Sequence, residues 1–119
     1  MKLISSFLFF LMFVLGCAQP NPTEGNLNGN SPPEINSIIT DPVFITVGTT
    51  ANITVDATDP DGDALSYSWI VALGDIIGSG NQVKYTAAYC CVGVNTIHVE
   101  IKDSKGASVK GRIDIEVNP

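Results

Sequence analysis

The chain has 119 residues, of which 45% are hydrophobic and only 15% are charged, so it is too short for a multidomain enzyme and too apolar for a disordered tail. Six basic residues stand against twelve acidic ones, which gives a net charge of -6 at pH 7. Such a chain lacks the clustered cations that neutralise phosphates, which argues against nucleic-acid binding and favours cationic or metal-ion partners.

Residues 1–16 have the pattern of a secretory signal peptide. Lys2 precedes a nearly unbroken apolar run from Leu3 to Leu15. This run is shorter than the about 20 residues of a membrane-spanning helix, and it fits the roughly 7–15 apolar residues of a signal peptide. The pattern predicts a leader that is removed after export.

The residues Val14-Leu15-Gly16-Cys17 resemble the lipobox of bacterial lipoproteins. In that family the cysteine thiol is lipidated and the cysteine becomes the new N-terminus, so the resemblance implies that Cys17 anchors the protein to the membrane. The alternative is an ordinary signal peptide cleaved near Ala18. No acidic residue directly follows Cys17, which by resemblance to enterobacterial sorting implies the outer membrane of the cell envelope, on its periplasmic or surface face.

Residues 17–33 are predicted to be a lipidated cysteine followed by a flexible tether. Proline, glycine and asparagine dominate this stretch, and Leu27 is its only large apolar side chain. Such a composition cannot build a core. The tether is expected to lift the following domain off the lipid headgroups.

From Glu34 onward, apolar side chains recur at every second position, which is typical of strands with one buried face. Clusters of glycine, proline, aspartate and asparagine separate the alternating runs. The predicted strands cover residues 35–39, 43–47, 50–58, 65–71, 75–78, 81–86, 94–102 and 107–117. Residues 34–119 are therefore predicted to form an all-β antiparallel sandwich with Trp69 at its centre.

Four stretches of this region form a recognisable set: PPEI at 32–35, the run from Val47 to Trp69 that contains TDPDGDALSYSW, VKYTA at 83–87 and VEIKDSKG at 99–106. Together they resemble the polycystic kidney disease (PKD) domain and its immunoglobulin-like (Ig-like) relatives in bacterial surface proteins. The resemblance implies an Ig-like β-sandwich of about seven strands. Such domains commonly act as spacers, as adhesion or ligand-binding modules, or as accessories of extracellular hydrolases.

Acidic residues cluster at Asp59, Asp61 and Asp63, between the third and fourth predicted strands. In an Ig-like sandwich this loop and the loop that begins with Asp103 lie at the same end, where Asn36 is also expected. Ca²⁺ prefers converging oxygen ligands of this kind. Asp-Pro and Asp-Gly are also ordinary turn formers, so a calcium site and a turn without metal both remain open.

Cys90 and Cys91 are adjacent in sequence, and they are the only cysteines that remain if Cys17 is lipidated. Neighbouring Cα atoms lie about 3.8 Å apart, short of the roughly 4.4–6.8 Å of an ordinary disulfide, so a bridge between them would be strained. Three states remain open: a vicinal disulfide, free thiols with one packed inward, and an intermolecular bond.

The sequence lacks the usual patterns of catalysis. His98 is the only histidine and is predicted on the exposed face of a strand, and there is no Gly-X-Ser-X-Gly sequence or paired Cys/His spacing. Tyr67 and Trp69 alternate in phase with Leu65, which indicates core positions rather than a sugar-binding platform. The chain is therefore predicted not to be an enzyme.

Together these patterns predict a noncatalytic lipoprotein of the bacterial cell envelope. Its PKD-like domain is expected to bind or adhere to an unidentified protein or glycan, with calcium as its only candidate cofactor. Two alternatives stay open: a structural spacer or assembly subunit of an envelope complex, and an accessory subunit of a secreted hydrolase.

Overall fold

The computed structural model describes residues 29–119, so the predicted signal peptide, Cys17 and most of the predicted tether lie outside the described residues. Each of the eight predicted strands overlaps an observed strand, and the all-β fold is confirmed. The elements are β1 (Glu34–Asp41), β2 (Phe44–Thr46), β3 (Thr50–Thr58), β4 (Leu65–Val71), β5 (Asp75–Ile77), β6 (Gln82–Thr86), a short 3-10 helix (Tyr89–Cys91), β7 (Gly93–Asp103) and β8 (Ser108–Asn118). No helix in this part of the chain is long and apolar enough to cross a membrane.

The strands form two four-stranded sheets, with the order β1-β3-β6-β5 in the first sheet and β2-β8-β7-β4 in the second. All neighbouring strands are antiparallel except β2 and β8, where Phe44 pairs with Glu116 in a parallel ladder. This parallel pair differs from the purely antiparallel sandwich that the sequence predicts. Pro42 has no N–H to continue the β1 ladder, and the chain crosses there to the second sheet.

The core lies between the two sheets and is built by the inward face of each alternating strand. Buried residues from β3, β6, β7 and β8 dominate it, and its largest fully buried side chains include Tyr85, Ile53, Ile97, Ile101 and Ile115. Trp69 is half-buried and packs against both clusters of buried residues, while its Nε1 donates a hydrogen bond of 2.9 Å to the carbonyl of Gly80. The predicted inward orientation of Trp69 is confirmed.

Strand register brings three segments to one end of the sandwich, which we term the acidic end. They are the leading segment (residues 29–33), the β3–β4 loop (59–64) and the β7–β8 loop (104–107). Glu34 pairs with Thr58, and Leu65 pairs with Asp103, so all three segments meet there. The leading segment, which the sequence assigns to the tether, packs onto the domain, and Pro33 is fully buried.

Candidate functional site

Three of the predicted carboxylates converge at the acidic end. Asp59 follows β3, Asp63 precedes β4, and Asp103 is the last residue of β7. One oxygen from each carboxylate lies within 4.8 Å of the other two. Like charges at this separation repel one another, and most strongly where they are shielded from water, as Asp103 is at 6% exposure.

Asp59 uses one of its two oxygens to shape its own loop. Its Oδ1 accepts hydrogen bonds from the backbone N–H groups of Asp61, at 2.9 Å, and Asp63, at 3.1 Å. The backbone N–H of Gly62 donates to the Asp59 carbonyl at 2.9 Å. These are the bonds of an Asx turn. Turn formation therefore occupies one oxygen of Asp59 and leaves the other available.

Three buried oxygens at the acidic end have no hydrogen-bond partner among the described residues: Asn30 Oδ1, Asp59 Oδ2 and Asp63 Oδ2. Buried polar atoms are normally paired, so such a group calls for an explanation. Asp63 Oδ1 forms an ion pair with Lys105 Nζ at 3.2 Å, which offsets one of the three negative charges. The remaining double negative charge and the unpaired oxygens suit a hard divalent cation.

Asp103 ties the leading segment to the β7–β8 loop. Its Oδ2 accepts a hydrogen bond of 2.8 Å from Asn30 Nδ2. Its Oδ1 accepts from the backbone N–H groups of Lys105 and Ala107, each at 2.9 Å. The hydrogen bond from Asn30, with smaller contributions from the backbone amides, lowers the pKa of Asp103 below that of an ordinary aspartate. This carboxylate is therefore held in its charged form.

The two other predicted site residues, Asp61 and Asn36, lie outside this group of converging carboxylates. Asp61 is exposed at the tip of its loop, where its Oδ2 accepts a hydrogen bond of 2.6 Å from the backbone N–H of Ser31. Asn36 is exposed in β1 at a shift in strand register, and the side-chain amide that reaches the carboxylates is that of Asn30. The structure thus brings together Asp59, Asp63 and Asp103, with Asn30 beside them.

Sequence reasoning missed the contributions of Asn30 and Ser31 because both lie in a stretch rich in proline, glycine and asparagine. Their position along the chain was the one feature of the sequence that could have indicated these contacts. Both residues directly precede β1, and β1 begins at the end where the acidic loops meet. Any residue just ahead of Glu34 must therefore lie close to those loops.

The sequence matches the family model of the bacterial Ig domain over residues 30–116. The chain belongs to this family. The match begins at Asn30, so it includes residues 30–33 of the leading segment that packs at the acidic end. PKD-like Ig domains commonly serve as binding or spacer modules and are generally noncatalytic. A comparison with curated protein sequences found no match.

Solved PKD domains share this architecture. The PKD domain of an M14-like peptidase from Thermoplasmatales archaeon SCGC AB-540-F20 is 26% identical, with a TM-score of 0.62 over 76% of this chain and 100% of that one. The PKD1 domain of Vibrio anguillarum Epp is 24% identical, with a TM-score of 0.52 over 74% and 98% of the two chains. The chain is a single PKD-like Ig domain over the matched residues.

A larger protein contains a similar domain. A nucleoside hydrolase-related protein from Saccharophagus degradans, described as associated with carbohydrate metabolism, is 19% identical, with a TM-score of 0.60 over 75% of this chain. The present chain spans only 26% of that protein. The likeness shows the shared fold.

Cys90 and Cys91 carry no disulfide bond in the structure, and their redox state stays a prediction. Cys90 is exposed and Cys91 is buried, and their Sγ atoms lie 2.6 Å apart. Their mutual hydrogen bond raises the pKa of Cys90 above that of an ordinary thiol. Cys91 packs into the core beside Tyr85.

β4 is an unusual edge strand among the four sheet edges of the described residues. β2 and β5 have three residues each, and β1 carries a register shift and acidic residues at both ends. β4 runs for seven residues with no charge, no proline and no register shift. Edge strands without such protection offer unpaired N–H and C=O groups to another strand.

An apolar groove accompanies this edge on the outer face of the second sheet. Ile70, Leu73 and Val94 line a cavity of about 390 Å³, and they are 65%, 48% and 66% exposed. His98, which pairs with Ile70 across the sheet, borders the same groove and is exposed as predicted. We call the free edge of β4 and this groove the β4 surface.

Proposed function

We propose that this chain is a noncatalytic lipoprotein of the bacterial cell envelope whose Ig domain binds an extended segment of a partner protein along the β4 surface. The observation that carries the proposal is the conjunction of a long, uncharged edge strand with an adjoining apolar groove. Strand addition gains affinity from main-chain hydrogen bonds and specificity from alternate side chains.

The groove supplies the specificity in this proposal. An added strand would place every second side chain on the outer face, beside Ile70 of β4. Burial of Ile70 by such side chains favours binding by about 25 cal/mol for each Å² of apolar surface removed from water. The preferred partner segment is therefore uncharged, extended and apolar at alternate positions.

The membrane anchor in this proposal is Cys17. The resemblance to a lipobox supports lipidation, and each buried methylene of an acyl chain contributes about 0.8 kcal/mol to membrane binding. The outer membrane is the proposed location, because no acidic residue directly follows Cys17. The stretch between Cys17 and Asn30 would then connect the lipid to the acidic end of the domain.

A calcium ion at the acidic end would stiffen that connection. The unpaired oxygens of Asn30, Asp59 and Asp63, together with the net negative charge, support a hard divalent cation as the bound group. Asn30 belongs to the leading segment, whereas the aspartates belong to the loops. A cation shared between them would fix the direction in which the tether leaves the domain.

A photocrosslinking amino acid at Ser68 of the full-length protein in living cells tests the binding surface, with Ser37 on the β1 edge as the control position. We expect an adduct with a partner protein from Ser68 and none from Ser37. Ile70→Lys should abolish the adduct by placing a charge on the β4 edge. Ile39→Lys, at a similarly exposed position in β1, should leave it intact. Adducts that survive Ile70→Lys, or that contain glycan instead of protein, would refute the β4 surface.

Radiolabelled palmitate tests the anchor independently. We expect the label in the wild-type protein and its loss in Cys17→Ser. An unlabelled wild-type protein in the soluble fraction would refute the lipoprotein part of the proposal. The binding part would still be decided by the crosslinking experiment.

A further inference from the structure

The two cysteines lie at the end of the sandwich opposite the acidic end. They follow β6 and precede β7, in the short helix Tyr89–Cys91. Adjacent side chains in a strand point to opposite faces, but this helical turn places both sulfurs on the same side, with Sγ atoms 2.6 Å apart. Cys90 faces solvent, whereas Cys91 is 1% exposed.

Hydrogen bonds fix the backbone on both sides of the pair. The backbone N–H of Cys91 donates to the carbonyl of Ala88 at 3.0 Å, and the side chain of Asn95 donates to the carbonyl of Cys91 at 2.7 Å. The carbonyl of Ala87 accepts from Gly48 at 2.9 Å, which ties the same segment to the β2–β3 turn. The two thiols are therefore held together before any reaction.

We propose that Cys90 and Cys91 form a reversible dithiol site that exchanges with disulfides, either those of small thiol compounds or those of thiol oxidoreductases. The exposed sulfur of Cys90 attacks one sulfur of a disulfide R–S–S–R, which breaks the S–S bond, forms a mixed disulfide and releases one R–SH that carries the Cys90 proton. The sulfur of Cys91 then attacks Cys90 Sγ, which forms the vicinal disulfide and releases the second R–SH with the Cys91 proton. The two thiols are oxidised and R–S–S–R is reduced to two R–SH.

The difference in exposure assigns the two roles. Thiol–disulfide exchange requires access for the attacking sulfur, which Cys90 has and Cys91 lacks. Cys91 needs no access to solvent, because its target is the neighbouring sulfur. Adjacent residues also close a strained ring, and strained disulfides are the readily reduced ones, so the site is reversible instead of structural.

Oxidised glutathione is a suitable probe for the full-length protein. Trypsin cleaves after Lys84 and Lys102, so one peptide carries both thiols and excludes Cys17. After treatment and alkylation, we expect this peptide to lack the mass of two hydrogen atoms and to carry no alkyl group, and dithiothreitol should restore alkylation of both residues. This readout does not depend on lipidation or on a partner protein, so its failure is distinguishable from failure of the proposed function.

Single variants separate the two steps. Cys91→Ser should accumulate glutathione on Cys90, because no second sulfur resolves the mixed disulfide. Cys90→Ser, at an exposed position, should react with oxidised glutathione at least about tenfold more slowly than the wild type, since only the buried thiol remains. Three outcomes for the wild-type peptide would overturn the proposal: retained glutathione, alkylation of both thiols after the treatment, or a disulfide-linked dimer.

Discussion

Asn30 Nδ2 donates a hydrogen bond of 2.8 Å to Asp103 Oδ2, joining residues that lie 73 positions apart in the chain. A second bond, from the backbone of Ser31 to Asp61, holds the same leading segment to the β3–β4 loop. Asn30 and Ser31 directly precede Pro32, Pro33 and β1, so these two bonds fasten the chain to both loops just before it enters the sandwich. The acidic end is therefore the junction between the leading segment and the sandwich.

Replacing Asn30 tests this junction. Asn30→Ala removes a hydrogen bond to a charged carboxylate, and such bonds contribute about 1.5–3 kcal/mol to the free energy of unfolding. We expect a loss of this size in urea unfolding, together with faster amide exchange in the leading segment. Asn36→Ala is the matched control, because Asn36 is exposed in β1. Equal losses in both variants would show that the Asn30 bond has no special role.

Calcium should stabilise the protein through the unpaired oxygens at the acidic end. Extracellular modules bind calcium with dissociation constants of about 10⁻⁴ to 10⁻³ M, and a ligand at ten times its dissociation constant adds about 1.4 kcal/mol. We expect a rise of about 6–11 °C in melting temperature at saturating calcium, reversed by EDTA. Asp59→Asn should abolish the rise while its remaining oxygen preserves the turn. Asp56→Asn, exposed in β3, should retain it. An unchanged melting temperature of the wild type would contradict the site.

The strands and part of the site were predictable because local pattern determines them. Two-residue alternation fixes which side chains of β3 and β7 enter the core, and turn-forming residues mark where the strands end. The convergence of Asp59, Asp63 and Asp103 follows from the topology of an Ig-like sandwich, which places the two loops at one end. These features need no knowledge of side-chain contacts.

The remaining features depend on tertiary contacts that the pattern does not encode. The register shift in β1 leaves Asn36 exposed, whereas Asn30 reaches Asp103 from a segment with no periodicity of its own. The parallel pairing of β2 arises because the chain crosses between sheets at Pro42. The two thiols lie on the same side because Cys90 and Cys91 belong to a short helix, whereas neighbouring residues of a strand would point to opposite faces. In each case the position of the side chain or strand depends on a contact or a break in the strand pattern that the sequence alone does not reveal.

Gly74 should tolerate substitution poorly. Its backbone has a φ of +96°, and a Cβ atom built there lies 2.5 Å from the ring of Tyr85. Gly74→Ala combines the strain of this conformation, about 1–2 kcal/mol, with overpacking that costs about 1–3 kcal/mol. Gly106→Ala has a similar φ of +94° and open space around the added atom, so it should show the strain alone. Urea unfolding of both variants measures the difference. Equal losses would mean that the turn moves away from Tyr85.

Tyr85 should make the stability of the domain depend on pH in alkaline solution. Burial raises the pKa of Tyr85 above its usual value, and its hydroxyl donates a hydrogen bond of 2.9 Å to the carbonyl of Leu73. A group whose pKa is higher in the folded state contributes stability that is complete below the unfolded pKa, near 10, and is lost as the pH rises through the folded pKa.

Tyr85→Phe removes both the hydrogen bond and the titrating group. We expect it to lower the free energy of unfolding by about 1 kcal/mol at pH 7 and to lose less stability than the wild type between about pH 9 and pH 11. Tyr89→Phe, at a tyrosine that is 78% exposed, should match the wild type at every pH. Urea unfolding across this range measures all three proteins. A decline in Tyr85→Phe as steep as in the wild type would assign the alkaline loss to other groups, because the phenylalanine cannot ionise.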